Sequence, residues 1–157
     1  HMVWPVHCEI GTWGHNIHHD LLLACNQWEE THAAIVTKLV KGTNPWTEHY
    51  SAIMAEVPDA EDASTQLNAA FIARLRAADR IYIAGEAASH CVKATTEHIV
   101  ENIGAAYLAK LVLIADCMSP VAGFEAQQAA FFSDMRARGL RIATAAEITA
   151  ELQHNAD

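Results

Sequence analysis

Apolar positions along this chain follow two rhythms, short near-continuous runs and longer stretches at helical spacing. Residues 81–84 (IYIA) and 110–115 (KLVLIA) are near-continuous runs of the kind found in strands buried on both faces of a parallel sheet. Residues 34–40 (AIVTKLV), rich in β-branched side chains, predict a further strand ending at Lys41-Gly42, and residues 141–144 a short last one. Helical spacing fills the intervals. Asn16 is placed to cap a helix to about His32, with Ile17, Leu21, Leu22, Ala24, Cys25 and Trp28 on its apolar face. Ser64 or Thr65 caps a second helix to about Ala78, whose stripe is Leu67, Ala70, Phe71, the stem of Arg74, and Leu75. Further helices are predicted from Cys91 to about Asn102, after Gly123 to about Arg138 where Gly139 stops it, and over residues 146–153. Residues 3–15 and 43–58 lack periodicity and read as loops.

Strands alternating with helices define an α/β fold: a parallel sheet with flanking helices, in which ligands gather at the C-terminal ends of the strands. No repeat, low-complexity tract or linker interrupts the pattern, so residues 1–157 read as one domain, with His1-Met2 as a cloning scar.

Composition narrows the partners. A formal net charge of -9 without any Lys/Arg run disfavours nucleic acid, whose phosphates demand clustered positive charge. No apolar run approaches a bilayer-spanning length, and no secretory leader pattern is present, so neither a membrane nor export is expected. The four cysteines are scattered without Cys-x-x-Cys spacing and read as reduced thiols of a cytoplasmic protein.

Three segments carry candidate chemistry. In residues 81–92 (IYIAGEAASHCV), a buried strand feeds a turn of small residues into a helix opening at Cys91. A thiol there meets the positive end of the helix dipole and unpaired N–H groups, which favour thiolate and can receive an oxyanion. This is the layout of a nucleophile elbow with Cys in place of Ser, although a small cysteine packing a helix start is an equal reading of the pattern. In residues 38–51 (KLVKGTNPWTEHYS), Lys41 would project its ammonium onto the same sheet edge, although a Lys-Gly after a strand is more often a solvated end. In residues 4–14 (WPVHCEIGTWG), His7 stands beside Cys8 among glycines; adjacent residues seldom ligate one ion, so one ligand or a core histidine is expected, not a zinc site. The His15, His18 and His19 cluster reads as helix surface.

Taken in order, WPxHCxxGTxG, a KG followed by YS, a strand and short turn into HCV, and DCMSP after the next strand resemble the nicotinamidase branch of the isochorismatase-like superfamily of cysteine hydrolases. The match spans nearly the whole chain. The resemblance implies a Rossmann-like α/β/α fold carrying an Asp–Lys–Cys triad, with Cys91 as nucleophile and Lys41 as the triad lysine. It implies a cis peptide at Glu86-Ala87 and an oxyanion hole formed by the N–H groups of Ala87 and Cys91. It places His7 at a ligand of a divalent metal (Zn, Mn or Fe), and Trp4 and Tyr50 in the substrate pocket.

The family's two N-terminal strands, with the catalytic Asp and the remaining metal ligands, have no counterpart here. Asp20, Asp59, Glu61 and Asp62 are not placed to substitute. Relative to the family the fold is therefore expected to be incomplete, with no tight metal binding by this chain alone. A homo-oligomer, complementation by the absent half, or side-by-side closure of the Lys41 and Ile81 strands would cover the exposed strand edges. The activity implied for the intact protein is hydrolysis of a small-molecule C–N amide bond through a thioester at Cys91. The alternatives are a truncated, inactive subunit with a binding or assembly role, and, more weakly, a redox-sensing thiol.

Overall fold

The computed structural model describes residues 3–154, so the expectation for His1-Met2 lies outside the described residues. The chain forms two compact units, His1–Leu39 and Val40–Asp157.

The first unit holds a 3-10 turn, Trp13–His15, and helix α1, His19–His32. Asn16 does not cap this helix, because its side-chain amide donates to the Thr12 carbonyl at 3.1 Å. His18 takes the position instead, its Nδ1 accepting the Asp20 N–H at 3.3 Å. Ala33 closes α1 in the left-handed conformation (φ 48°), and Ala34 N–H returns to the Glu29 carbonyl. The strand expected at residues 34–40 does not form. β-branched side chains favour extended backbone, but a strand also needs a neighbouring ladder, and here the Val36 N–H is taken by the Glu29 carboxylate at 2.7 Å. No side chain among residues 3–39 is buried; Ile17, Leu21 and Trp28 of the expected apolar face are open to solvent, as is Leu23.

The second unit is built on three parallel strands, β1 (Ile81–Ile83), β2 (Leu111–Ile114) and β3 (Arg141–Ala143), in the order β1-β2-β3. Ile81 pairs with Leu111, and Val112 with Arg141. The central strand is apolar throughout because it has helices on both sides. Its alternation sorts the layers. Leu111 and Leu113 face a core shared with Ile72 of α2 (Ala69–Ala77), Val92, Ile99 and Ile103 of α3 (Cys91–Ile103), and Phe131 and Met135 of α4 (Glu125–Ala137). Val112 faces the other way, packing with Ala143 of β3 and with Ile148 of α5 (Ala145–His154). The result is a three-layer α/β/α arrangement. Among the described residues β1 pairs with β2 alone, so its outer edge has no neighbouring strand. Residues 34–40 join no strand of this sheet, so the side-by-side closure of the Lys41 and Ile81 strands does not form.

Helix α2 starts later than Ser64 or Thr65, because both are engaged in a 3-10 turn. The Asp62 carboxylate accepts the Ser64 N–H at 2.8 Å, and the Thr65 hydroxyl donates to the Asp62 carbonyl at 2.7 Å. Asn68 caps the helix through the Phe71 N–H. Ile72, absent from the expected stripe, is its buried residue, whereas Leu67 lies before the helix. Cations close the helix ends: Arg76 donates to the Ile103 carbonyl at 2.8 Å, and Lys110 to the Ala78 carbonyl at 2.6 Å.

Phe131 is fully buried and Leu23 is 53% exposed. Phe131→Ala should therefore cost about 3–5 kcal/mol of stability, and Leu23→Ala within about 0.5 kcal/mol. Thermal unfolding of the two variants followed by circular dichroism checks this contrast.

Candidate active site

The turn between β1 and α3 is fixed by bonds to the segment that follows β2, so two strand ends are tied together where parallel sheets bind ligands. Gly85 (φ 118°) donates its N–H to the Cys117 carbonyl at 3.0 Å, and Ala88 to that of Ser119 at 2.9 Å. In return, Ser119 N–H binds the Glu86 carboxylate at 3.1 Å, and Val121 N–H binds the Ser89 hydroxyl at 2.9 Å. The Glu86-Ala87 peptide is cis. The Ala87 carbonyl receives the N–H of both His90 and Val92, at 3.0 and 3.1 Å. Among the described residues the N–H groups of Ala87 and Cys91 have no acceptor. Such free donors at a helix start are suited to hold an anionic oxygen.

Cys91 is half-buried at the first position of α3. Lys41, which lies in a loop and not at a strand end, places its Nζ 3.6 Å from the Cys91 Sγ. The same ammonium donates to the His49 carbonyl at 2.8 Å. The loop carrying Lys41 and His49 is anchored to α3, since the Thr95 hydroxyl accepts the Ala52 N–H at 3.0 Å. Within it, the Glu56 carboxylate accepts the Tyr50 N–H at 2.9 Å, and the buried Ser51 hydroxyl accepts the Ile53 N–H. A cation beside a thiol at the mouth of a helix can draw negative charge onto sulfur and steady it during attack on a carbonyl carbon.

Two histidines frame this pair, and neither was singled out by sequence reasoning. His49 is buried, and its Nδ1 accepts the Gly42 N–H at 3.3 Å. Its pKa is lowered, first by burial and then by the Lys41 charge, against the opposing carboxylates of Glu56 and Glu48. His90 packs edge-on to Phe124, with ring centroids 4.7 Å apart, and lies 5.7 Å from the Tyr50 ring. Its Nδ1 is 2.9 Å from the Ser89 hydroxyl, and burial, followed by Lys93, lowers its pKa also. His49 sits inside the KG…YS stretch and His90 beside Cys91, but a single histidine in a loop carries no periodicity that would mark it.

Cys91, Lys41, Glu86, Ala87 and Tyr50 therefore belong to one unit, with Tyr50 adjoining the cysteine through His90. Trp4 and His7 belong to the first unit. Trp4 is half-buried there, and His7 is exposed with its Nδ1 2.7 Å from the Pro5 carbonyl. Among the described residues no three His, Cys, Asp or Glu side chains gather as a metal site, so the residues present do not fit a divalent ion.

No family model matches the sequence, and no curated protein is significantly similar to it. Solved structures are similar. Yeast nicotinamidase Pnc1p bound to the inhibitor nicotinaldehyde matches with a TM-score of 0.65 at 20% identity, over 92% of this chain and 59% of its own. An Acinetobacter baumanii nicotinamidase/pyrazinamidase gives 0.59 at 18%, over 93% and 61%. Pyrococcus horikoshii pyrazinamidase in complex with zinc gives 0.55 at 22%, over 90% and 63%. The chain thus spans about three-fifths of the length of these three structures. The resemblance read from the motifs is met at the level of the fold, an α/β/α arrangement shared with part of each of these nicotinamidase and pyrazinamidase structures.

Both histidines bind protons less readily when folded than the ordinary pKa of 6.5 would allow. The unfolded chain therefore holds more protons just below that value, and stability should be complete above pH 6.5 and fall as the pH drops through the folded pKa values. Melting temperature measured against pH checks the sign, and His49→Asn should flatten part of the decline.

Proposed function

We propose that the intact protein hydrolyses a C–N amide bond in a small molecule, using Cys91 as nucleophile and Lys41 as its electrostatic partner. The observation that carries this reading is the 3.6 Å separation of Lys41 Nζ and Cys91 Sγ, with the unbonded N–H groups of Ala87 and Cys91 at the same turn. The Cys91 thiolate attacks the amide carbon, and the oxygen takes up negative charge opposite those two N–H groups. The C–N bond then breaks, the amine leaving with a proton, and a thioester remains on Cys91. Water attacks the thioester, releasing the carboxylic acid and restoring the thiol. Tyr50, beside His90, contributes to the substrate pocket.

Nicotinamide and pyrazinamide, the amides acted on by enzymes of the matched fold, are the first substrates to examine. Among the described residues neither Cys91 nor Lys41 pairs with a carboxylate, and the proton shuttle is assigned to an Asp supplied from outside these residues, by a further segment or a separate chain. The setting assigned to the enzyme is the reducing cytoplasm, in keeping with four free cysteines and with no helix, among the described residues, long and apolar enough to cross a membrane.

The missing carboxylate partner also favours a second reading, in which this chain is an inactive subunit that binds small molecules or assembles with others. Ammonia release from a panel of small amides, with mass spectrometry of the protein, separates the two. Hydrolysis predicts ammonia and a transient acyl mass on Cys91, both abolished in Cys91→Ala, and a loss of about 100-fold or more in Lys41→Met. Turnover that survives Cys91→Ala would overturn the mechanism. A readily alkylated Cys91 without turnover on any amide would support the inactive subunit.

A further inference from the structure

We propose that His49 is a positioning residue for Lys41, holding both ends of the lysine so that its ammonium stays against Cys91. The inference rests on the Lys41–Cys91 pair being the working pair of the site. Its backbone carbonyl accepts from Lys41 Nζ at 2.8 Å, and its ring Nδ1 accepts the N–H of Gly42, the next residue, at 3.3 Å. Lys41 lies in no strand or helix, so no ladder fixes where its side chain starts. Gly42 adopts φ 71°, a turn conformation open to glycine, and the ring bond to its N–H holds that turn. The far end of the side chain is fixed by the carbonyl. A single buried residue thus sets the origin and the tip of a flexible four-carbon stem.

The ring can act in this way only when neutral. With Nδ1 as acceptor, the ring proton sits on Nε2. A proton added to Nδ1 would turn the acceptor into a donor facing the Gly42 N–H, and would set a second positive charge beside the Lys41 ammonium. The charged and titratable groups facing the ring are Lys41, Glu48 and Glu56 of its own loop and His98 of α3. The two carboxylates favour the protonated ring, while Lys41, His98 and above all burial oppose it. The clamp is therefore closed at neutral pH and opens in acid, whatever substrate the site takes.

Alkylation of Cys91 by iodoacetamide tests this without a known substrate. The rate is followed by peptide mapping between about pH 5 and 8, in the full chain and in Lys41→Met, His49→Leu and His49→Asn. Loss of the cation should slow Lys41→Met by about tenfold or more at neutral pH. His49→Leu should slow towards the same rate. In His49→Asn the side-chain oxygen can accept from Gly42 but cannot take up a proton, so it should restore most of the lost rate and hold it to lower pH than the unmodified chain does. Wild-type rates and pH profile in His49→Leu, or an unshifted acid limb in His49→Asn, overturn the positioning role while leaving the pair intact. Wild-type alkylation in Lys41→Met instead overturns the pair on which the inference rests.

Discussion

An ammonium held against a sulfur is the constraint around which the second unit is arranged. Unit charges about 4 Å apart attract by on the order of a few kcal/mol at the effective dielectric of a protein surface, and by less where water intervenes. Such a gain is easily lost if a lysine stem samples other rotamers. The Lys41 stem starts in irregular backbone, and its restraint comes from the His49 carbonyl and from a loop bonded to α3 through Thr95. The sheet acts at one remove. It buries β2 between two helical layers, which fixes the C-terminal ends of β1 and β2, and the bonds between the two following turns then set the start of α3.

That start is a second consequence of hydrogen-bond accounting. A helix leaves its first N–H groups without internal partners. Here the Ala87 carbonyl takes two of the nearby donors, His90 and Val92, and passes over the one between them. The N–H of Cys91 is left next to its own sulfur, so in the proposed reaction the nucleophile and a donor to the oxyanion come from a single residue. Ser89 and Glu86 spend their polar atoms on residues 119–121, which keeps the turn in shape without placing a further charge on the sulfur.

The parts of the fold legible in the sequence are those governed by local rules. Residues 81–84 and 110–115 showed themselves as buried strands because parallel strands with two covered faces tolerate little polarity. Gly139 ended α4 as a residue with positive φ, and Cys91 opened α3 directly after a turn of small residues. The misreadings share a cause. Residues 34–40 have strand composition, but a strand is a property of two segments, and no neighbouring ladder is present. Asn16 and Ser64–Thr65 are good caps by type, but their polar atoms were committed to nearby turns. In the site, Lys41 and Cys91 could be named from motifs, whereas their 3.6 Å approach depends on His49, whose part is played through a backbone carbonyl and one ring nitrogen. Neither leaves a trace in a pattern of apolar positions.

The absence of any buried side chain among residues 3–39 bears on how the chain denatures. Sensitivity to urea scales with the surface newly wetted when structure is lost. Helix α1 and its flanks already present most of their surface to solvent, so they add little to that quantity. The steepness of a urea transition should accordingly follow the length of the second unit and not that of the whole polypeptide. Any added segment or second copy that covered Leu21, Leu23 and Trp28 would announce itself as a steeper slope.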